Sequence, residues 1–221
     1  MSTRKPLRLF RLFVLGVVAF VAVYCFVIML KGYLQTPELI AAHIANADMA
    51  LTVEQFSEEQ MRILLAVEDP NFYSHRGIDL STPGAGLTTI TQALAKRLYF
   101  DAFQPGLAKI RQTLLAFVLN QHMSKSAQLE LFINTAYFGE HDGGAVNGFA
   151  AAARVYCNKE FAALTREEYL ALVAMLIAPN ELSVATQPEK NAKRVRRLER
   201  LLRGECKPEG LRDVYYENCG E

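Results

Sequence analysis

The chain has 221 residues, 51% of them hydrophobic and 21% charged, a balance that supplies enough apolar surface for a core and excludes a disordered chain. Its 24 Lys and Arg nearly cancel 23 Asp and Glu, for a net charge of +1. That removes any whole-chain electrostatic case for nucleic acid, and the length suits one domain.

The even balance conceals an uneven distribution. Residues 1–31 hold Arg4, Lys5, Arg8, Arg11 and Lys31 and no acid, so 19 bases face 23 acids in the remainder, which is net −4. Between Arg11 and Lys31, the nineteen residues Leu12 to Leu30 carry no charge. As a helix they would span about 28 Å, close to the thickness of a bilayer core. A signal peptide is the competing reading, but its apolar stretch would be shorter and small residues would mark a cleavage site, which LKGYLQTPELI does not offer. The excess of bases before the span keeps residues 1–11 in the cytoplasm and sends everything after it outside. The expected organisation is a tail (1–11), a transmembrane helix (12–30), a linker and domain start (31–54), a domain (55–203) and a C-terminal tail (204–221). Cys25 falls inside the span. Cys206 and Cys219 are spaced to close a terminal loop in an oxidising compartment, although the sequence alone leaves them free or bonded.

Beyond the span the punctuation is that of helices and loops. Ser57 and Gln60 form a capping box, flanked by Phe56 and Met61 as a hydrophobic staple, and predict a helix from Glu58 to Asp69 that Pro70 ends. His75 to Leu87, with Gly77, Pro83, Gly84 and Gly86, reads as loop, and a helix begins near Thr89. The segment 107–123 is apolar nearly all round and is placed in the middle of the fold. Ser124 caps the next helix, SAQLELFINTAYF, which Gly139 stops; GEHDGG reads as loop and NGFAAAARVYC as a small-residue helix. A second capping box, Thr165 to Glu168, opens a helix reaching Pro179. The last helix, about Glu189 to Arg203, is basic on most faces with Val195, Leu198 and Leu202 along one side. No long stretch alternates with strand period, so the fold class is mainly α.

Glu68 is the most informative position. The apolar face of its helix runs Met61, Leu64, Leu65, and the next step of that series is Glu68 itself, a carboxylate directed at the core. It also sits in the last turn, where the helix dipole disfavours its charge, so both effects raise its pKa toward that of a working acid or base. A buried glutamate paired with Arg or Lys is the alternative that this helix alone leaves open.

The order of segments around it resembles a known family. AVEDPNFYSHRGID (66–79), GLTTITQALAKRLYF (86–100), SKSAQLELFINTAYFG (124–139), GFAAAARVYCNK and LTREEYLALVAMLIAPNELS are similar to glycosyltransferase family 51, the peptidoglycan glycosyltransferases, across roughly residues 55–203. Its first motif, E-D-x-x-F-x-x-H-x-G, is complete as Glu68, Asp69, Phe72, His75 and Gly77. The resemblance implies a lysozyme-like glycosyltransferase domain behind one N-terminal transmembrane helix, on the periplasmic side of a bacterial inner membrane. It implies lipid II and the growing glycan strand as substrates, Glu68 as the base that deprotonates the acceptor hydroxyl, and other cell-wall synthesis proteins as partners.

The remaining motifs match in part. In the second, G-G-S-T-I-T-Q-Q-x-x-K-N, Gly86, Thr88, Thr89, Ile90, Thr91, Gln92 and Lys96 match or nearly match, while Leu87, Ala93 and Arg97 replace Gly, Gln and Asn; only residues 78–85 stand where family members carry a longer mobile flap. In the third, R-K-x-x-E, the positions fall on Ala108, Lys109 and Gln112, so the second glutamate is Gln112. That glutamate organises the diphosphate site with a divalent metal such as Mg²⁺, for which a neutral amide is a poor ligand. The fourth keeps Ser124, Lys125, Leu129, Glu130 and Asn134, with Gln128 and Ile133 as departures, and serves chiefly to hold the fold together. The resemblance thus assigns Glu68 and the Gln112 position to catalysis, and Asp69, His75, Thr88, Thr89, Gln92, Lys96, Lys109 and Lys125 to substrate binding. His43, His122 and His141 lack metal-ligand spacing, so no zinc chemistry is predicted. No S-x-x-K lies outside the cytoplasmic tail, so no transpeptidase is expected. The seven bases from Lys190 to Arg203 form either a solvated face or a contact with anionic lipid headgroups. Three functions remain: an active glycosyltransferase of reduced rate, a non-catalytic descendant that binds lipid II, glycan or partners, and a glycan-cleaving enzyme using Glu68 alone.

Overall fold

A computed structural model describes residues 4–220 except 85, 87 and 105, with side chains from residue 8 onward. It is built on eight α-helices and one two-stranded hairpin. The first helix, α1 (Arg4–Asn46), is long and apolar enough to cross a membrane, and none of its most apolar window is buried. It does not end in a linker after residue 31. It stays helical to Asn46 and docks on the domain, because Gly32 lets it approach closely: a Cβ there would lie 2.4 Å from Leu115 Cδ2. One turn on, the fully buried Thr36 donates its hydroxyl to the Gly32 carbonyl at 2.6 Å and bonds the Tyr99 hydroxyl.

Helix α2 (Glu58–Glu68) begins at the predicted capping box, with Ser57 accepting from the Gln60 amide and Gln60 accepting from the Ser57 amide. Helices α3 (Ile90–Tyr99), α4 (Leu107–His122) and α5 (Lys125–Thr135) follow, each shorter than or equal to the apolar pattern that announced it. α4 is not central throughout. It runs between α1 and α3, with Leu115, Val118 and Leu119 buried but Leu107 and Ile110 exposed at its start.

The sequence places no strand between residues 136 and 147, yet β1 (Tyr137–His141) and β2 (Gly144–Asn147) form an antiparallel hairpin. Asp142 and Gly143, at φ 50° and 76°, make the left-handed turn that matches strand twist. α5 therefore stops at Thr135 rather than Phe138. α6 (Phe149–Cys157) and α7 (Arg166–Met175) supply Phe149 and Tyr169 to an aromatic cluster with Phe56 and Phe161, with ring centroids 4.5 to 6.2 Å apart. This staples the start of α2 to α6 and α7.

The last helix, α8 (Pro188–Leu202), packs on α7 and α2. The chain beyond it is not a loose tail. Cys206 and Cys219 are bonded, and Arg194, Arg197 and Arg200 of α8 donate to the carbonyls of Val214, Tyr215, Cys219 and Gly220. Tyr216, only 2% exposed, donates its hydroxyl to the Val67 carbonyl at 2.9 Å.

Candidate active site

A cavity of about 680 Å³ opens where α2 ends and α3 begins. One wall is a single stripe of α3, formed by Thr89, Ile90, Ala93, Lys96 and Arg97, positions spaced three and four apart as a helix face requires. The lining also includes Tyr137 and Asn147 from the hairpin, Arg194 from α8, and Val214 and Tyr216 from the disulfide-bonded segment. Glu68 is the only carboxylate among the lining residues, against Lys96, Arg97 and Arg194.

Glu68 is the C-terminal residue of α2, as its place on the apolar stripe requires. It meets solvent through the cavity but is otherwise enclosed, and that burial is the largest influence on its pKa, which is pushed up to about 7. The Arg194 guanidinium opposes the shift and the adjacent Asp69 adds to it. The raised pKa expected from the sequence is therefore present, but the tertiary enclosure is its first cause.

Asp69 and His75 do not line the cavity; they lie behind its wall, bonded to the start of α3. Asp69 is fully buried and accepts from the Ile90 amide at 3.0 Å and from His75 Nε2 at 2.9 Å. His75 Nδ1 accepts from the Gly77 amide at 3.0 Å, which places its proton on Nε2. This hub ties the end of α2 to the start of α3, so it sets where Glu68 stands relative to the α3 stripe. Gly77 belongs to it for a steric reason. Its φ is +107°, and a Cβ there would come within 2.7 Å of the Ala116 carbonyl oxygen.

Thr89 and Gln92 form a capping box for α3, each side chain accepting the other's amide, while the Thr89 hydroxyl donates to the Gly77 carbonyl and Gln92 Nε2 to the Thr113 hydroxyl. Thr89 still reaches the cavity wall; Gln92 does not. Thr88 lines the cavity and accepts from Lys109 Nζ at 2.7 Å, so Lys109 stands one hydrogen bond behind the wall. Burial, then Lys96, holds the Lys109 pKa down. Lys125 lies elsewhere, its ammonium 4.4 Å from the Phe72 ring centroid, with its pKa lowered by burial and supported by Asp69.

Gln112 is also outside the cavity. It is 1% exposed; its Nε2 donates to the Gln92 carbonyl at 2.7 Å, and its Oε1 has no partner among the described residues. The divalent metal implied by the resemblance does not fit these residues. A hard cation needs several oxygen ligands, Glu68 is the sole carboxylate on the cavity wall, and no group of three or more His, Cys, Asp or Glu is assembled among the described residues.

Arg97, Tyr137, Asn147, Arg194 and Tyr216 line the cavity without having been singled out as site residues by the sequence. For Arg194 a signal existed. Asn191, Arg194 and Leu198 share the buried face of α8 at helical spacing, so this arginine interrupts an apolar stripe as Glu68 does. It belongs to the cavity rather than to the exposed basic face of α8. Gly84 is likewise held by residues distant in sequence. The Gly84 amide donates to the Gly210 carbonyl at 2.9 Å, and a Cβ on Gly84 would meet Pro208 and Tyr216.

Comparison with known proteins finds relatives of this chain. The chain is 33% identical over 174 residues to penicillin-binding protein 1B of Buchnera aphidicola, covering 72% of this chain and 23% of that protein. It is 32% identical to penicillin-binding protein 1F of Bacillus subtilis, over 65% of this chain and 21% of the relative, and 31% identical to penicillin-binding protein 1A of Neisseria lactamica, over 62% and 18%. The chain thus spans about a fifth of the length of these relatives. A family model described as Transglycosylase matches residues 37–202, three quarters of the sequence and every helix that lines the cavity. The chain belongs to the transglycosylase family, the glycosyltransferase family 51 that its first motif resembles.

Proposed function

We propose that this protein is a membrane-anchored peptidoglycan glycosyltransferase that polymerises lipid II into β-1,4 glycan chains on the outer side of the bacterial inner membrane. The observation that carries this reading is Glu68, a lone carboxylate with a pKa near 7 in a cavity lined by three cations. A base with that pKa is half ionised at neutral pH and holds the proton it takes. In the step proposed, the Glu68 carboxylate accepts the proton of the acceptor 4-hydroxyl as that oxygen bonds to the donor's anomeric carbon. The bond from that carbon to the phosphate oxygen breaks with inversion, and the diphosphate leaves with the electron pair. Its developing negative charge falls among Lys96, Arg97 and Arg194, where preorganised cations stabilise it most.

α1 supports the membrane part of the reading, since it is continuous from the apolar span into the contacts with α3 and α4. A lipid-linked substrate would then reach a domain held against the bilayer. The test is polymerisation of fluorescent lipid II by the detergent-solubilised chain, with Glu68→Gln as control. Glycan chains from the wild type and none from the variant are expected; equal product from both would remove Glu68 from the mechanism. One observation favours a second reading, a non-catalytic binder: Gln112, at the family's second carboxylate position, is turned to a backbone carbonyl and away from the cavity. Lipid II binding without polymerisation would establish it.

A further inference from the structure

Several cations of the domain sit in ion pairs, whereas among the described residues those beside the cavity at α3 do not. Arg62, Arg154, Lys159, Arg166, Arg200 and Arg203 each pair with a carboxylate. Lys96, Arg97 and Lys109 have no carboxylate partner among the described residues, although they share one edge of α3 and its approach. Arg97 is the extreme case. It is half-buried, lines the cavity, and spends one guanidinium nitrogen on the Thr135 carbonyl. A guanidinium enclosed in protein without a counterion is costly unless something supplies the missing negative charge. Burial lowers its pKa only to about 10, so it stays charged at neutral pH.

The helix start beside it is not the anion site. The Ile90 amide is already bonded to Asp69, and the Gln92 amide to Thr89. Nor do the described residues assemble a divalent-cation site: Glu68 is the lone carboxylate of the lining, and Gln112 donates to the Gln92 carbonyl. On the α3 wall, what can meet an anion in the cavity is the exposed Lys96 ammonium and the edge of the Arg97 guanidinium not spent on Thr135, adjacent in sequence, while Arg194, already donating to the Val214 carbonyl, lines the cavity from α8. A planar guanidinium offers two parallel N–H groups to a phosphate, which an ammonium cannot.

We propose that Arg97, with Lys96, forms a metal-independent subsite for the diphosphate of the lipid-linked substrate, Arg97 supplying the positive charge that a metal ion would otherwise bring. This deepens the glycosyltransferase reading and rests on it for the identity of the diphosphate carrier. The subsite itself rests on the unpaired guanidinium in the cavity.

The experiment is isothermal titration of the full-length detergent-solubilised protein with inorganic pyrophosphate in EDTA, beside lipid II polymerisation in EDTA and in Mg²⁺. Wild type should bind pyrophosphate in EDTA. Arg97→Asn should weaken binding at least tenfold, with Arg97→Lys intermediate. Arg97→Gln, neutral but one methylene longer than Asn, covers the case in which the shorter side chain unsettles α3, and far-UV circular dichroism checks that each variant is folded. Binding that requires Mg²⁺, or neutral variants that bind as tightly as wild type, would overturn the proposal. If pyrophosphate binds through Arg97 but lipid II is not polymerised, the subsite stands and the glycosyltransferase reading fails. If lipid II is polymerised in EDTA and the neutral variants neither slow it nor bind pyrophosphate more weakly, the subsite fails and that reading stands.

Discussion

The enclosure of Glu68 makes the fold less stable as pH rises, and the size of the effect follows from its pKa. Moving a glutamate from its ordinary 4.5 to about 7 corresponds to roughly 3 kcal/mol between the two protonation states. Between those values the folded protein keeps a proton that the unfolded chain has released. Stability contributed by this site is therefore full below pH 4.5, falls through the window and is lost above about 7. Glu68→Gln has no such titration. Taking the difference between variant and wild type at pH 4 as the reference, the variant should gain roughly 3 kcal/mol by pH 8, or about 6–12 °C in Tm for a domain of this size. The chain contains no Trp, so far-UV circular dichroism of the full-length protein in a nonionic detergent is the suitable probe. A difference that stays constant from pH 4 to pH 8 would refute the enclosure argument. Polymerisation should rise through the same window as the base form accumulates, so the fold is least stable where the site is most competent, the trade-off common at functional sites.

Four further outcomes are expected. Replacing both Cys206 and Cys219 by Ser should cost about 3 kcal/mol, the chain-entropy value for closing a loop between residues 13 apart; hydrogen exchange should then accelerate at the amides of residues 84 and 216, and unchanged protection would show that the α8 arginines hold this segment alone. Gly77→Ala should lose on the order of 2 kcal/mol in thermal unfolding, from strain at φ +107° and the clash with the Ala116 carbonyl. Asp69→Asn leaves the Ile90 amide and His75 competing for one carbonyl oxygen, and should cost about 2–3 kcal/mol while lowering polymerisation in proportion more through kcat than KM; a loss confined to KM would place Asp69 in substrate binding instead. Gln112→Glu faces a carboxylate toward the Gln92 carbonyl in a buried site and should destabilise by roughly 1–3 kcal/mol at pH 8 without restoring Mg²⁺ dependence; a Mg²⁺-stimulated gain in rate would contradict the placement of that side chain.

Much of the local structure was legible because it is written in short-range chemistry. The capping boxes at Ser57 and Thr165 start their helices where the sequence puts them, and each start needs only residues within one turn. The hairpin was missed although its turn residues, Asp142 and Gly143, are those a tight hairpin requires. Five- and four-residue strands give too little alternation to outweigh the helical pattern of α5 running into them. The exposure of Leu107 and Ile110 was not legible, since periodicity reports which residues are apolar and not which neighbours arrive to cover them.

The site divides the same way. The sequence by itself determined that a glutamate interrupts the apolar stripe of α2, that α3 presents Thr89 and Lys96, and that the first motif is complete, because each is a matter of spacing along one helix or loop. Only the tertiary structure decided that Asp69 and His75 stand behind the cavity wall rather than in it, that Lys125 and Gln112 lie outside the lining, and that Arg97, Arg194 and Tyr216 belong to it. Those outcomes depend on pairs separated by as many as 149 residues, such as the Tyr216 hydroxyl on the Val67 carbonyl beside Glu68. No local pattern encodes such a pairing; it is selected when the buried polar groups of distant segments must satisfy one another at once.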